Sequence, residues 1–520
     1  HYIKCKDEWH LLNNFLKIWQ SGRYQPDILT GWNIEFFDLP YIVNRIKNVL
    51  GMAEAKKLSP WGILEERTVE IHGRENQAFT PAGISILDYL NLYKKFKFEQ
   101  QESYKLESIA EVENLQIKKL DYKAQGYTSL DDLYRKNFEL FIDYNIQDTT
   151  VVDLLEEKLK FIDQVIAFAY DAKVNYSDVM TTVLPWDVII HNYLMDRAIV
   201  IPQFKKGDFS QPLVGGHVKE VKAGMYNWVV SFDLNSLYPH LIMQYNISPE
   251  TKLGREPYFP VIDSILDKHA VIEEQGVAYA ANGVKFSKGK QGFLPALMEK
   301  MYNDRTEYKK KMLEAKRELE TLSADSDKRR EVTNRIARYH NLQLAKKIQL
   351  NSAYGALANE YFRWFDFDLA EAITMSGQLS IRWVERNFNE YLNGLLKTKD
   401  VDYVIAADTD SIYINMEPLV SLLGVTDQNK IVEAIDKFCK TRIQSVINGS
   451  YQELADYMHA YSQKMHMKRE TIANKGIWKA SKMYILNALD IEEVRFTEPQ
   501  LKVMGIEAVR SSTPKACRVA

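Results

Sequence analysis

The sequence predicts a multidomain protein of α/β and α+β units, on three observations. Its 520 residues exceed what one hydrophobic core organises, so two to four domains are expected. Residues 1 to about 160 alternate helical and strand patterns, as an α/β domain does. Farther along, two long helical patterns stand between strand-length apolar runs that end in acids.

Composition narrows the function classes. Hydrophobic residues make up 46% and charged residues 26%, an ordinary globular balance. No run approaches 18 consecutive apolar residues and no signal peptide opens the chain, so no membrane role is expected. Cys5, Cys439 and Cys517 lie too far apart for a zinc motif and suggest a reducing compartment, so a cytoplasmic protein is expected. With a net charge of -3, any nucleic-acid surface must be local. The chain opens on His1 without Met and closes in Ser-Ser-Thr-Pro-Lys-Ala-Cys and three further residues, which reads as a fragment at both ends.

The elements follow in order. Ile28 to Asn33 is strand-like and leads into Ile34-Glu35-Phe36-Phe37-Asp38. Tyr144 and Asp148 stand at i and i+4 of a helix whose core face is Val151, Val152, Leu155 and Leu159. Residues 161 to 205 form a mixed helical segment, and Gly215-Gly216 marks a tight loop where a backbone can be approached closely. Trp228, Val229, Val230 and Phe232 make an apolar strand that stops at Asp233. Leu234 to Tyr238 then form a turn ended by Pro239.

Residues 292 to 359 hold the long helices, Leu297 to Leu322 and Lys328 to Leu357, joined by residues 323 to 327. A helix of 26 residues spans about 39 Å, so the pair should project as a finger, with Val332, Ile336 and Tyr339 on its seam. Residues 299 to 350 carry 14 Lys/Arg against 9 Asp/Glu, an excess that a solvated face largely explains. Residues 404 to 416 read as a hairpin with Asp408 and Asp410 at its tip. Two such carboxylates repel unless a cation lies between them, and carboxylate and phosphate oxygens are what Mg2+ prefers. An acid at a turn is ordinarily a solvated residue, so the pattern gains meaning only in combination.

The third member of that combination is residues 343 to 359, where Lys347, Asn351 and Tyr354 at i, i+4 and i+7 put a cation, an amide and an aromatic ring on one helix face. Asp-x-x-Ser-Leu-Tyr-Pro from Asp233, Lys-x-x-x-Asn-Ser-x-Tyr-Gly from Lys347 and Asp-Thr-Asp-Ser from Asp408 occur in one order on compatible elements. The chain resembles a family B DNA polymerase of the T-even phage type.

The resemblance implies an RNase H-like 3'-5' exonuclease domain over 1–160, partial because its first motif is missing. A segment packing on an absent amino-terminal domain (161–205) comes next, followed by a right-hand palm (206–291 and 360–508), helical-hairpin fingers (292–359) and the start of a truncated thumb (509–520). It implies that Asp233 and Asp410 hold two Mg2+ ions, with Asp408 and the Leu234 carbonyl as further ligands. Ser236, Leu237, Tyr238, Arg305, Lys309, Lys347, Asn351 and Tyr354 would bind the deoxynucleoside triphosphate. Tyr238 would sit under the sugar, and Lys347 would also serve as an acid toward the leaving group.

Primer-template DNA would contact Gly215, Gly216, Lys482 and Tyr484, the last two resembling the end of a Lys-Lys-Arg-Tyr motif. Lys482 closes a basic stretch, 464 to 482, whose only acid, Glu470, is a candidate accessory acid. Asp38 and Asp148 would bind metal in the exonuclease, and Tyr144 would orient water. Asp88 reads as structural, and Asp490-Ile491-Glu492 as a chance match to the missing motif. A sliding clamp, a helicase and a bacterial host cytosol are the implied partners and place. Two readings stay open beside the enzyme: a non-catalytic DNA-binding remnant, and a nuclease with an unused polymerase half.

Overall fold

The computed structural model describes residues 3–507 and 513, apart from 72, 98–100, 102, 116, 118–121, 208–211 and 323–327. The expected finger connection at 323–327 and, save for Thr513, the expected thumb start at 509–520 lie outside the described residues. Residues 1–181 form one compact unit and residues 182–520 a second. Among the described residues no helix is long and apolar enough to cross a membrane.

The first unit mixes strands β1 (Ile28–Gly31), β2 (Leu64–Ile71), β3 (Arg74–Pro81) and β4 (Ser85–Asp88) with helices. β1 pairs in parallel with β4, while β2 and β3 form an antiparallel hairpin. Helices α1 (Glu8–Trp19) and α2 (Asp38–Val49) bury Leu12, Leu16, Val43 and Ile46 against Leu58 and Phe79. Asp88 caps α3 (Tyr89–Phe96) by accepting from the Leu90 N–H. Helix α4 (Phe138–Leu159) buries Val151, Val152 and Leu155, while Leu159, expected on the same face, is only half-buried. Left-handed Lys160 separates it from α5 (Phe161–Ala172).

The segment 161–205 is divided rather than single. Helix α5 belongs to the first unit, whereas α6 (Val183–Met195) belongs to the second, because Trp186 is buried there with its Nε1–H donated to Ser352 Oγ at 3.1 Å. Arg363 fixes the same helix through Asp187, at 2.9 and 3.2 Å.

The second unit is built on six antiparallel strands. They are β5 (Gly224–Leu234), β9 (Val404–Asp408), β10 (Ser411–Asn415), β11 (Met467–Ala480), β12 (Met483–Ile491) and β13 (Val494–Met504), in the order β13-β12-β11-β5-β10-β9. A smaller sheet holds β6 (Lys252–Arg255), β7 (Val277–Tyr279) and β8 (Val284–Ser287). β5 runs past Asp233 to Leu234 instead of stopping at the acid, since it is paired on both sides.

Pro239 does not end a turn. It lies in the first turn of α7 (Leu237–Tyr245), where its missing N–H costs no helical hydrogen bond. The long helices are α8 (Phe293–Thr321) and α9 (Lys328–Leu357). α8 starts four residues earlier than its periodicity suggests, with Pro295 tolerated in the first turn and the Phe293 N–H donated to Glu250 Oε1 at 2.6 Å. Helix α10 (Phe367–Leu396) returns the chain to the sheet behind Phe232, which packs on Phe388.

Candidate active site

Pairing on both sides of β5 brings Asp408, Ser411, Asp233 and Lys468 into one row across four strands. Residues directly opposite in antiparallel strands project to the same face, so Asp408 and Asp233 share a face with Cα atoms roughly 10 Å apart. Asp410 is the second residue of the two-residue turn between β9 and β10. Thr409 takes a φ of 53°, and the Leu234 N–H donates to the Asp410 carbonyl at 2.8 Å. The sheet thus gathers the three acids singled out in the sequence at one end.

Gathering them has an electrostatic cost. Burial, then the charges of Asp410 and Glu470, push Asp233 up to about 7. Asp410 is raised mainly by burial, with Asp408 and Glu470 adding. Glu470 arrives through a β-bulge, since the β11 to β5 register slips between Arg469 and Thr471. It accepts from Ser231 Oγ at 3.0 Å and from Lys502 Nζ at 2.7 Å. Among the described residues no three His, Cys, Asp or Glu side chains meet closely enough to hold a metal ion by themselves.

The helical pair supplies the opposite charge. Lys347 on α9 is held below its ordinary range by burial first and then by Arg305 and Lys309 of α8, while Glu492 pulls it back up. Arg305 Nε is buried with no hydrogen-bond partner among the described residues. Tyr354 meets Tyr238 with ring centroids 4.7 Å apart, and burial, Tyr354 and Asp410 push the Tyr238 hydroxyl up to about 12. Asn351, on the same face of α9, is exposed. Ser236, left-handed at φ 50°, precedes α7, so the N–H groups of Leu237 and Tyr238 are first-turn donors without intrahelical acceptors.

The basic stretch 464–482 is largely neutralised. Lys464 pairs with Glu299, Lys479 with Glu507, and Lys482 Nζ lies 3.2 Å from Asp408 Oδ1. Arg469 points inward to Asp490 at 2.6 Å and Asp436 at 3.1 Å. Tyr484 is corrected from a DNA contact to a core residue. It is 6% exposed, its hydroxyl is 2.8 Å from that of Tyr413, and its ring stacks on Trp478. Gly215 and Gly216 lie beside the acidic hairpin, with Gln378 Nε2 donating to the Gly215 carbonyl at 2.6 Å and the Thr409 N–H to the His217 carbonyl at 2.8 Å.

In the first unit, Asp38 opens α2 and is raised by burial and by Asp88. Buried Asp88 ties the preceding loop down by accepting from the N–H groups of Asn33 and Glu35, both at 3.1 Å, which is a structural duty. Tyr144 and Asp148 stand on α4, Tyr144 edge-on to Tyr122 at 5.7 Å.

Sequence reasoning missed Glu35, which pairs with Arg67, and Lys502 and Glu492, whose charges act on Asp233, Lys502 also pairing with Glu470. Glu492 sits in the two-residue turn between β12 and β13, where both central residues have positive φ. The alternating pattern of these strands signals a hairpin, but nothing local says where its tip returns.

A sheet end carrying several acids beside a cationic helix face is the arrangement phosphoryl-transfer proteins use. The chain belongs to DNA polymerase family B: residues 186–441 match the model of DNA polymerase family B and residues 2–109 that of the family B exonuclease domain. It is 37% identical to the DNA-directed DNA polymerase of Escherichia phage RB69 and 36% identical to that of Enterobacteria phage T4, over all of this chain and 62% of each relative. The DNA polymerase of Thermococcus gorgonarius is 26% identical over 97% of this chain and 55% of its own length. The chain therefore spans less than two thirds of the length of these relatives.

Proposed function

We propose that this chain is the core of a template-directed DNA polymerase, joining deoxynucleotides to a primer 3'-hydroxyl in DNA replication by two-metal phosphoryl transfer. In this reading the first unit is an RNase H-like 3'-5' exonuclease and the second a right-hand palm with helical fingers. The observation that carries it is the alignment of Asp408 and Asp233 on one sheet face, with Asp410 hydrogen-bonded to Leu234.

The donors fit a hard divalent cation. Two carboxylates that burial and mutual repulsion drive toward protonation are relieved by a cation, and the set is all oxygen, as Mg2+ prefers. Asp233 and Asp410, with the Leu234 carbonyl and more weakly Asp408, would hold two Mg2+ ions. Such ions supply activation of the attacking hydroxyl and neutralisation of charge on the leaving pyrophosphate. Arg305 and Lys309 grip the triphosphate, Arg305 through a guanidinium suited to bidentate phosphate contact. Lys347, its proton loosened by burial and neighbouring cations, donates to the leaving group. Tyr354 packs on the nascent base pair, and the Tyr238 ring lies where a ribose 2'-hydroxyl would collide.

Duplex DNA is held through phosphates, without sequence reading. Exposed Lys468 and Lys475, and Lys482 in the turn between β11 and β12, are the cations for that task. A sliding clamp and helicase belong to the reading through the family alone. The phage origin of the two 36–37% relatives supports a bacterial host cytosol. The test is Asp410→Asn, which should abolish single-turnover incorporation while primer-template affinity stays nearly unchanged. A variant that keeps a tenth of the parental rate overturns the reading.

A further inference from the structure

The loop from Gly215 to Lys219 runs along the free edge of β9 as a strap. The Thr409 N–H donates to the His217 carbonyl at 2.8 Å, the Lys219 N–H donates to the Ala407 carbonyl at 2.9 Å, and Val218 bridges Asp408 in antiparallel fashion. Gln378 Nε2 anchors the start of the strap at the Gly215 carbonyl.

The closest approach is at Gly216. A Cβ there would lie 2.8 Å from both Cγ2 and Oγ1 of Thr409 and 3.2 Å from its Cβ, closer than side chains tolerate. The Gly216 backbone is not among those with positive φ, so space and not conformation requires the glycine. Thr409 is the reverse case: at φ 53° a β-branched residue occupies a region it adopts only at a cost. The two-residue turn between the paired Asp408 and Ser411 calls for positive φ at that position, and the strap adds a hydrogen bond to the Thr409 N–H and a close contact on its side chain.

We propose that Gly216, with the main chain of His217 and Lys219, is a positioning element for the catalytic carboxylates. The strap buttresses the Thr409 turn from the free edge of β9 and so fixes where Asp408 and Asp410 stand relative to Asp233. This rests on the polymerase reading above and gives the glycine a role distinct from touching DNA.

Gly216→Ala in the full chain tests it, by three measurements: single-turnover incorporation at saturating nucleotide, primer-template affinity, and hydrogen exchange of a peptide spanning 404–416 in the metal-free protein. The rate should fall about 100-fold, as displacements near 1 Å at reacting groups do. Affinity should stay within threefold, and exchange in 404–416 should speed up. In a Thr409→Gly background, which deletes the clashing atoms and takes positive φ freely, Gly216→Ala should cost less than threefold and leave exchange unaltered.

Weakened DNA binding with parental exchange would assign the glycine to DNA and overturn the proposal. So would an unchanged rate in Gly216→Ala, or the same large loss in the Thr409→Gly background. Asp410→Asn measured alongside separates the two readings: activity with Asn at 410 defeats the polymerase site, whereas an inactive Asp410→Asn beside a fully active Gly216→Ala defeats the strap alone.

Discussion

The Leu234 N–H donates to the carbonyl of Asp410 at 2.8 Å, locking Asp233 beside an acid from a distant part of the chain. The proximity is written into the stability of the metal-free protein. Unfolded, the Asp233 carboxyl titrates near 3.8; folded, near 7. Between those values the folded state keeps a proton that the unfolded state has lost, so the contribution of Asp233 to stability declines as pH rises from about 4 to 7 and stays lost above. Asp233→Asn, assayed without divalent metal, should therefore raise the melting temperature by a few degrees at pH 8 and by nothing near pH 4. Thermal melts across that range check it, and a pH-independent difference refutes the assignment.

The rings of Tyr238 and Tyr354 lie 4.7 Å apart, and the proposed polymerase reading makes Tyr238 the residue that selects the sugar. Tyr238→Ala should admit ribonucleotides while leaving deoxynucleotide incorporation within a fewfold of parental. Competition assays with the two sugars measure this, and undiminished discrimination removes Tyr238 from the role.

Lys347 and its neighbour Lys346 should fail differently. Lys346 is buried and lies 3.4 Å from Asp304, so Lys346→Ala strands a carboxylate at the finger base and should lower the melting temperature. Lys347→Ala should leave the melting temperature nearly alone and depress the incorporation rate roughly 100- to 10,000-fold, the usual loss for a general acid. Equal effects on both readouts from the two variants would refute the division of labour.

Little 3'-5' hydrolysis is expected from residues 1–520. Asp38 and Asp148 lack the family's upstream acid pair, and Asp88 is committed to the Asn33 and Glu35 amides. A single-stranded DNA digestion assay is the check. Rapid degradation that vanishes in Asp148→Ala would mean that another acid, with Glu35 the first to examine, completes the site.

Asp233, Lys347 and Asp410 were legible because each belongs to a short pattern: a strand reaching an acid, a helix face at i, i+4 and i+7, a hairpin tip. Arg469 and Tyr484 were not, because their partners Asp490 and Tyr413 depend on strand register. One residue of slip turns every side chain to the other face. Counting charges in 464–482 therefore overstated its free positive surface. The segment 161–205 looked continuous since its helices are alike in pattern, and the contacts that divide it, Trp186 with Ser352 and Asp187 with Arg363, are made with residues far along the chain.

The order of strands also governs how the chain reaches this fold. β5 lies at the centre of its sheet, yet its neighbours β10 and β11 are made much later. At ribosomal rates of about 5–20 residues per second, the roughly 180 residues between β5 and β10 represent on the order of 10 to 40 seconds. Through that interval Val229, Val230 and Phe232 have no sheet to enter, whereas α8 and α9 can pair as soon as both have emerged. The six-stranded sheet thus assembles after the α8–α9 pair, and these apolar residues are most exposed to aggregation before the acidic hairpin is synthesised.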